Sequence, residues 1–241
     1  AHMNDNNDAG PDPLRRMTMI ALGATAVGLS VPSLAQADDA AEARALVDKA
    51  RVTFDAMLRA KEHDALRAGM KSARGVLIFP SVLKGGFFLG GSGGTGVLLV
   101  RGERNDWSQP AFYTMGAVSF GVQFGGQAAE VVILINSQSA VERLLSSSLK
   151  LGGDASVAAG PVGAGQAANL KADFVSYAKS KGAFIGMSVE GSVLDVRDTL
   201  NNGYYGKAVT PVEILVKGAA RNRQADPLRK AVAAAGGPGG R

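Results

Sequence analysis

The sequence predicts an α+β fold, in which a curved, mainly antiparallel β-sheet or partial barrel carries flanking helices. Short apolar runs separated by prolines and glycine clusters fill the middle of the chain, as is typical of strands and tight turns. Of the 32 glycines, 23 lie between Gly75 and Gly206. Helical periodicity is found mostly outside this region, so most of the helices that parallel βαβ units require between strands are missing.

The composition of the 241-residue chain removes several function classes. With 46% hydrophobic and 20% charged residues, the chain is able to bury a core, as one domain or at most two. The absence of cysteine excludes disulfide scaffolds, thiol catalysis and cysteine zinc sites. The histidines are His2 and His63 alone, which excludes a histidine-rich metal site within one chain. We therefore expect neither a metal nor a cofactor.

Residues 1–37 have the order of an expression scar followed by a secretory signal peptide. Arg15-Arg16 precedes the 21 uncharged residues 17–37, and Ala35-Gln36-Ala37 has the small-x-small form of a leader-peptidase site. We expect cleavage after Ala37 and an exported, periplasmic protein that is peripheral to the membrane. An uncleaved transmembrane anchor is the alternative, and the arginine pair leaves both the general and the twin-arginine export routes open.

Residues 38–71 form the predicted N-terminal helical segment. Apolar residues recur at helical spacing from Asp39 to about Met70, and charged residues occupy the other face. Between Asp38 and Arg74, eight basic and seven acidic residues nearly balance. We therefore expect a helix docked on the sheet, and a membrane-lying helix is the alternative.

Residues 72–217 form the predicted core. Pro80 and the glycine clusters separate the first apolar runs, and Gly91–Gly96 are expected in a glycine-rich hairpin. A helix is predicted over Ser137–Leu149, with Ser137 or Ser139 as its cap. The predicted strands are Val76–Phe79, Phe87–Leu89, Val97–Val100, Phe112–Val118, Val122–Phe124, Val131–Ile135, Ala155–Ala159, Phe174–Tyr177, Phe184–Val189 and Ser192–Val196.

Motifs that suggest enzyme chemistry lack the surroundings that the chemistry needs. Gly91–Gly96 match the dinucleotide-binding pattern G-x-G-x-x-G, but a strand follows where the pyrophosphate needs a helix N-terminus. Glu62-His63-Asp64 gathers titratable groups, but consecutive residues of a helix point in different directions. His63 lies outside the sheet region, so no Ser-His-Asp triad is indicated. A Ser-Lys dyad or a carboxylate pair stays open without a motif, and we expect no enzyme.

The chain becomes basic after Gly206. Lys207–Arg241 holds seven basic and two acidic residues, so nearly all of the surplus positive charge follows the sheet region. Helices are predicted over Thr210–Lys217 and Pro227–Ala235. Residues 218–241 are therefore predicted to form a basic C-terminal helix and a disordered, glycine-rich tail.

Several short motifs occur in an order that is more specific than any one of them. They are Ala73-Arg74-Gly75-Val76, Gly91 to Val100, Trp107-Ser108-Gln109-Pro110, Gly116 to Gly126, Leu151-Gly152-Gly153-Asp154, Val157 to Gly163, Ser176 to Gly186, Glu190-Gly191, Asn202 and Tyr204-Tyr205-Gly206. In this order the motifs resemble the SYLF domain, a lipid- and actin-associated module, over roughly Ser72–Lys217.

The resemblance implies a non-catalytic protein that binds membrane lipids. Phosphoinositides are the usual ligands of eukaryotic relatives, and some relatives bind actin. Here a charge-balanced segment precedes the domain in place of a lysine-rich one, and the predicted export signal leads to a compartment without actin. We therefore expect association with an anionic phospholipid membrane of the bacterial envelope. A structural or protein-partner module of the envelope is the alternative, and basic residues do not interleave with aromatic ones as nucleic-acid binding would need.

Cations beside glycines, in the signature segment and in the basic region are the expected headgroup contacts. Attraction to a charged membrane surface contributes about 1 kcal/mol per Lys or Arg. Trp107 is either an interface anchor or a core residue at a strand end. The expected lipid-binding residues are Lys84, Lys179, Lys181, Lys207, Arg221, Arg223, Arg229 and Lys230.

Overall fold

The computed structural model describes residues 34–60, 64–85, 89–103, 106–120, 127–146, 148–161, 171–181, 183–185 and 188–237. Their helices and strands are α1 (Leu34–Arg59), α2 (Asp64–Met70), β1 (Gly75–Gly85), β2 (Leu89–Val100), β3 (Ala111–Phe120), β4 (Gln127–Ile135), α3 (Gln138–Leu144), β5 (Ser148–Lys150), β6 (Val157–Ala159), β7 (Phe174–Ser180), β8 (Ala183–Ile185), β9 (Val193–Val196), α4 (Asp198–Tyr205), α5 (Pro211–Leu215) and α6 (Asp226–Gly236).

In the described part of the chain, nine strands form one curled sheet. The strand order is β5-β9-β3-β2-β1-β4-β7-β6, and β8 pairs with β7. The pairing of β6 with β7 is parallel, and the other pairings between these strands are antiparallel. The predicted α+β class with a curved, mainly antiparallel sheet is therefore confirmed.

Strand β1 lies at the centre of the sheet and pairs with β2 on one side and β4 on the other. Successive side chains of a strand point to opposite faces. Leu77 and Phe79 accordingly join a core cluster with α3 and α5, whereas Val76 and Ile78 join a second cluster with α1, α2 and α6. The sheet is therefore buried on both faces around β1.

Pro80 lies inside β1 and does not separate two strands, contrary to the prediction. The pairing register of β1 with β4 shifts between Phe79 and Val82. A residue without a backbone N–H is tolerated at such an irregularity, because no ladder hydrogen bond is lost there.

Gly91–Gly96 lie in β2, which forms an antiparallel hairpin with β1, as the prediction of a glycine-rich hairpin has it, and on its other side β2 pairs with β3. A Cβ atom on Gly96 would lie 2.5 Å from the carbonyl oxygen of Ile78 and 2.6 Å from Cδ1 of Phe79. Glycine is therefore needed here because β1 approaches Gly96 closely where its pairing register with β2 shifts after Ile78, and not because the chain turns.

The predicted N-terminal helix is two helices. The guanidinium of Arg67 in α2 donates to the carbonyl oxygens of Leu58 (2.5 Å) and Ala60 (2.7 Å). These carbonyl groups at the C-terminus of α1 have no partner within the helix, so Arg67 provides their hydrogen bonds where α1 ends. The apolar face of α1 is buried, with Val47, Phe54 and others against β1 and β2, as expected for a docked helix. Residues 1–33 and most of the Glu62-His63-Asp64 motif lie outside the described residues, so cleavage after Ala37 stays a prediction.

The internal helix is shorter than predicted. It ends at Leu144, and the chain continues into β5. Ser137 is the N-cap as predicted, because its hydroxyl accepts from the backbone N–H of Ala140. The predicted strand Val122–Phe124 and parts of Phe87–Leu89 and Phe184–Val189 lie outside the described residues.

Helix α4 was not predicted, because its two asparagines and one glycine are poor helix formers. Packing compensates: a Cβ atom on Gly203 would lie 2.9 Å from the backbone nitrogen of Ala40 in α1. The buried amide of Asn201 pairs with the backbone of Phe112, accepting from its N–H at 2.9 Å. The helices predicted near Thr210 and Pro227 are present as α5 and α6, and the tail after residue 237 lies outside the described residues.

Candidate functional site

The structure separates the predicted lipid-binding cations: the lysines of β1 and β7 lie at one end of the sheet, and Arg221 and Arg229 line a cleft with Arg74, which precedes β1 at the other end. Lys84 lies near the end of β1 opposite Gln127, and Lys179 lies near the end of β7. The first residue of β1, Gly75, pairs with Ile135 at the other end of β4. A strand rises about 3.3 Å per residue, so the two ends of β1 are roughly 30 Å apart. One headgroup therefore cannot contact both groups.

The sheet-end group consists of Lys84, Lys179 and Lys181. Lys179 Nζ lies 3.9 Å from Glu130 Oε2, and the other oxygen of Glu130 accepts from the Thr53 hydroxyl at 3.1 Å. Lys179 and Lys181 line a cavity of about 220 Å³ with Glu130. The side chain of Lys84 lies outside the described part of the structure. At least one cation of this group is thus already paired with a carboxylate of the chain.

The C-terminal group contains four exposed cations, Lys207, Arg221, Arg223 and Lys230. Lys207 Nζ donates to the carbonyl oxygen of Ala219 at 3.0 Å. Among the described residues, the side chains of the other three make no hydrogen bond or ion pair. Their charges are therefore available to an external anion.

Arg229 differs from the rest of its predicted group, because its guanidinium serves the fold. Its Nη2 and Nε donate to the carbonyl oxygen of Trp107 at 2.7 and 3.1 Å, and Nε also donates to that of Ser108 at 3.1 Å. Nη1 lies 3.3 Å from Asp226 Oδ1. Arg229 therefore fastens α6 to the connection between β2 and β3.

Arginine side chains from three parts of the chain converge on a cleft of about 750 Å³. Arg74 precedes β1, Arg101 follows β2, and Arg221 and Arg229 belong to the C-terminal region. We call this the arginine cleft; its lining also includes Trp107, Gln109, Glu103 and Asp106. It unites two of the predicted cations with two arginines that the sequence analysis did not select.

Arg101 forms one wall of the arginine cleft. Its guanidinium carbon lies 5.0 Å from the centre of the Trp107 ring, and its nitrogens donate to the carbonyl oxygens of Met70 (2.6 Å) and Lys71 (3.2 Å). Desolvation and, second to it, the neighbouring charge of Arg74 lower the pKa of Arg101 below its ordinary value. The two guanidinium groups therefore raise the positive potential of this end of the cleft.

Trp107 is a core residue, which decides between its two predicted roles. Only 3% of its surface is exposed, and it packs in the cluster with α1 and α6. It is therefore not free to insert into a bilayer.

A cluster of two serines and one aspartate near α3 has a structural role. Ser137 Oγ donates to Asp173 Oδ1 at 2.6 Å, and Ser156 Oγ donates to Oδ2 at 2.9 Å. These hydrogen bonds, the one from Ser137 above all, hold the pKa of Asp173 below its ordinary value. Asp173 thus joins the start of β7 to the N-terminus of α3. In the residues that the structure covers, no three acidic or histidine side chains are grouped as a metal site requires.

Comparison with known proteins shows the family to which the chain belongs. A family model described as "Las17-binding protein actin regulator", Ysc84, matches residues 116–235. The chain belongs to this Ysc84 family, which is the SYLF family. The resemblance read from the ordered motifs is therefore confirmed.

Relatives of this Ysc84 domain are longer proteins. SH3 domain-containing protein PJ696.02 of Schizosaccharomyces pombe is 37% identical over 166 residues, which are 66% of this chain and 38% of that protein. Protein YSC84 of Saccharomyces cerevisiae has the same identity over the same length, at 35% of its own chain. SH3 domain-containing YSC84-like protein 1 of Homo sapiens is 34% identical over 161 residues, covering 65% of this chain and 47% of its own. The chain spans between about a third and a half of the length of these relatives.

In the described part of the chain, no helix combines the length and the apolar character that crossing a bilayer requires.

Proposed function

We propose that this Ysc84-family protein associates, without catalysis, with the surface of anionic phospholipid membranes. The observation that carries the proposal is the C-terminal group of exposed cations, of which Arg221, Arg223 and Lys230 have no hydrogen bond or ion pair among the described residues. A headgroup phosphate that approaches them breaks no contact within the protein. Each such cation contributes about 1 kcal/mol near an anionic surface. The export signal predicted for residues 1–37 makes the bacterial envelope the proposed location.

A protein partner is the second candidate function. It is favoured by the family description, Las17-binding protein actin regulator, and by relatives named LAS seventeen-binding protein 3 in Saccharomyces cerevisiae. The same exposed cations suit an acidic protein surface. Liposome binding no stronger than that of an unrelated protein of similar charge would favour this candidate over the membrane.

The membrane proposal predicts that the double variant Arg223→Gln/Lys230→Gln binds anionic vesicles less tightly than the parent chain. Two lost cations at roughly 1 kcal/mol each lower the affinity by up to about thirtyfold. The measurement is flotation of the protein with phosphatidylglycerol vesicles over a range of lipid concentration. Both side chains are exposed, so the variant is expected to unfold at the parent temperature.

A matched control is Lys150→Gln/Lys171→Gln, which removes the same charge from two exposed lysines outside both predicted groups. It is expected to stay within about twofold of the parent, since screening weakens charges beyond a Debye length. Equal losses in both double variants would show that only net charge matters and would contradict a C-terminal contact surface. A loss confined to Lys84→Gln/Lys181→Gln would move the contact to the other end of the sheet and would contradict it too.

A further inference from the structure

We infer that the arginine cleft is a binding site for a single phosphate group. The inference rests on the proposed function for one source of that phosphate, a phospholipid headgroup, and a soluble phosphate ester is the other source. Arg221 belongs both to the exposed C-terminal group and to the cleft, whereas Arg223 and Lys230 do not line the cleft. The cleft would give the protein a discrete, saturable site in addition to diffuse attraction to a membrane.

The charges that line the arginine cleft favour an anion. Among the described residues that line the cleft, four guanidinium groups face two carboxylates, those of Glu103 and Asp106. Arg229 is further balanced by Asp226, which lies 3.3 Å away. No described residue accepts a hydrogen bond from, or forms an ion pair with, the side chain of Arg74 or Arg221. A phosphate between these two arginines would meet donors that have no other acceptor within the described chain.

The guanidinium groups of Arg101 and Arg229 already donate to backbone carbonyl oxygens and form the wall of the cleft. Those of Arg74 and Arg221 have no such acceptor among the described residues, so they are available to the ligand. A Cβ atom on Gly236 would lie 2.7 Å from Arg101 Nη2 and 3.4 Å from Trp107 Nε1, so α6 closes directly over this wall. The backbone next to Arg221 is also fixed, since Asn222 donates to Gln109 Oε1 at 3.2 Å and to the carbonyl oxygen of Tyr204 at 3.0 Å. The wall and the backbone beside Arg221 are thus in place before binding, whereas the exposed side chains of Arg74 and Arg221 become ordered when the ligand arrives.

The guanidinium group suits phosphate in particular. Its planar fork donates two parallel hydrogen bonds to two oxygens of one phosphate, which an ammonium group does not do. The cleft volume of about 750 Å³ exceeds what a bare phosphate fills. It falls in the range of sites that hold a small organic molecule, so a phosphate ester with its alcohol fits the cleft better than the free ion.

Trp107 makes the test direct, because it is the single tryptophan of the chain and lines the cleft. The full chain is titrated with sn-glycerol 3-phosphate while tryptophan fluorescence is recorded, with sodium chloride at matched ionic strength as the reference. The expected result is a saturable change with the phosphate ester and none with chloride. The variant Arg74→Gln/Arg221→Gln is expected to bind at least about tenfold more weakly, since each lost charge-assisted hydrogen bond costs about that factor.

Two further variants keep the result decisive. Lys150→Gln/Lys171→Gln removes the same charge outside the cleft and is expected to bind glycerol phosphate like the parent. Arg74→Lys/Arg221→Lys keeps the charge but loses the fork, so intermediate binding is expected even where the glutamine variant folds poorly. The inference is overturned if no saturable change occurs, if both glutamine variants respond alike, or if an acidic peptide saturates the signal and the phosphate ester does not.

The source of the phosphate is separated by a vesicle experiment. If glycerol phosphate displaces the protein from phosphatidylglycerol vesicles and the cleft variant binds those vesicles weakly, the headgroup is the ligand. If the Arg74→Gln/Arg221→Gln variant loses the fluorescence response but binds vesicles like the parent chain, the cleft holds a soluble phosphate ester and membrane binding is separate. A parent chain that binds anionic vesicles but shows no saturable fluorescence response overturns this inference and leaves the proposed function standing.

Discussion

Replacing Gly96 with valine is expected to lower the free energy of unfolding by about 3 kcal/mol, the upper range for overpacking. The new Cβ would lie 2.5 Å from the carbonyl oxygen of Ile78 and 2.6 Å from Cδ1 of Phe79. Ile78 and Phe79 are fully buried in the central strand β1, so neither has space to move away. Thermal unfolding should show a midpoint lowered by roughly 6–12 °C for a domain of this size.

Gly116→Val is the matched control, because Gly116 lies in β3 and a Cβ atom there has no neighbour within 4 Å. Its midpoint is expected to stay close to that of the parent. Gly93 pairs with Gly116 across the strands, and its Cβ would meet only the carbonyl oxygen of Met115, at 3.4 Å. The valine variant at Gly93 should therefore be milder than that at Gly96. Equal midpoints for Gly96→Val and Gly116→Val would contradict the close approach of Ile78 and Phe79 to Gly96.

Replacing Arg229 with glutamine is expected to lower the free energy of unfolding by about 2 kcal/mol. Its guanidinium holds the carbonyl oxygens of Trp107 and Ser108, and hydrogen bonds to charged groups each contribute about 1.5–3 kcal/mol. Glutamine is shorter and has one amide nitrogen in place of the two guanidinium nitrogens, Nε and Nη2, that donate to these carbonyl oxygens. Chemical denaturation followed by tryptophan fluorescence measures the change at the affected residue itself.

Lys230→Gln is the control for Arg229→Gln, because Lys230 is the next residue of α6 and is exposed. It is expected to change the free energy of unfolding by less than about 0.5 kcal/mol. If Arg229→Gln were as stable as the parent but bound vesicles poorly, Arg229 would belong to the lipid contact and not to the fold. The contacts of Arg229 predict the reverse.

The fold class was predictable because short apolar runs without intervening helices leave few alternatives to an antiparallel sheet. Local signals were also reliable where one side chain satisfies a helix end, as Ser137 and Thr210 do. The errors arose where tertiary packing overrides local preference. A glycine stands inside β2 at position 96 because Ile78 and Phe79 of the neighbouring strand leave no room for a side chain, and α4 is helical because α1 packs against its glycine.

The candidate site was predictable only as a set of cations. The sequence locates Arg221 and Arg229 in a basic region, but it does not show that one is free and the other holds two carbonyl groups. Arg74 and Arg101 were not selected, because they are far apart in the chain and meet only through the pairing of Gly75 with Val100. The motifs that begin at Ala73 and Trp107 could have indicated the site, because Arg74 in the first and Trp107 in the second both line the arginine cleft.

The binding of the parent chain to vesicles of different headgroups tests the central claim most directly. Co-sedimentation should be stronger with phosphatidylglycerol or cardiolipin than with phosphatidylcholine alone. Raising the salt should weaken it, because the Debye length falls from about 10 Å at 0.1 M to about 3 Å at 1 M. Equal binding to anionic and neutral vesicles, or binding to anionic vesicles that persists undiminished at 1 M salt, would contradict electrostatic association with an anionic membrane.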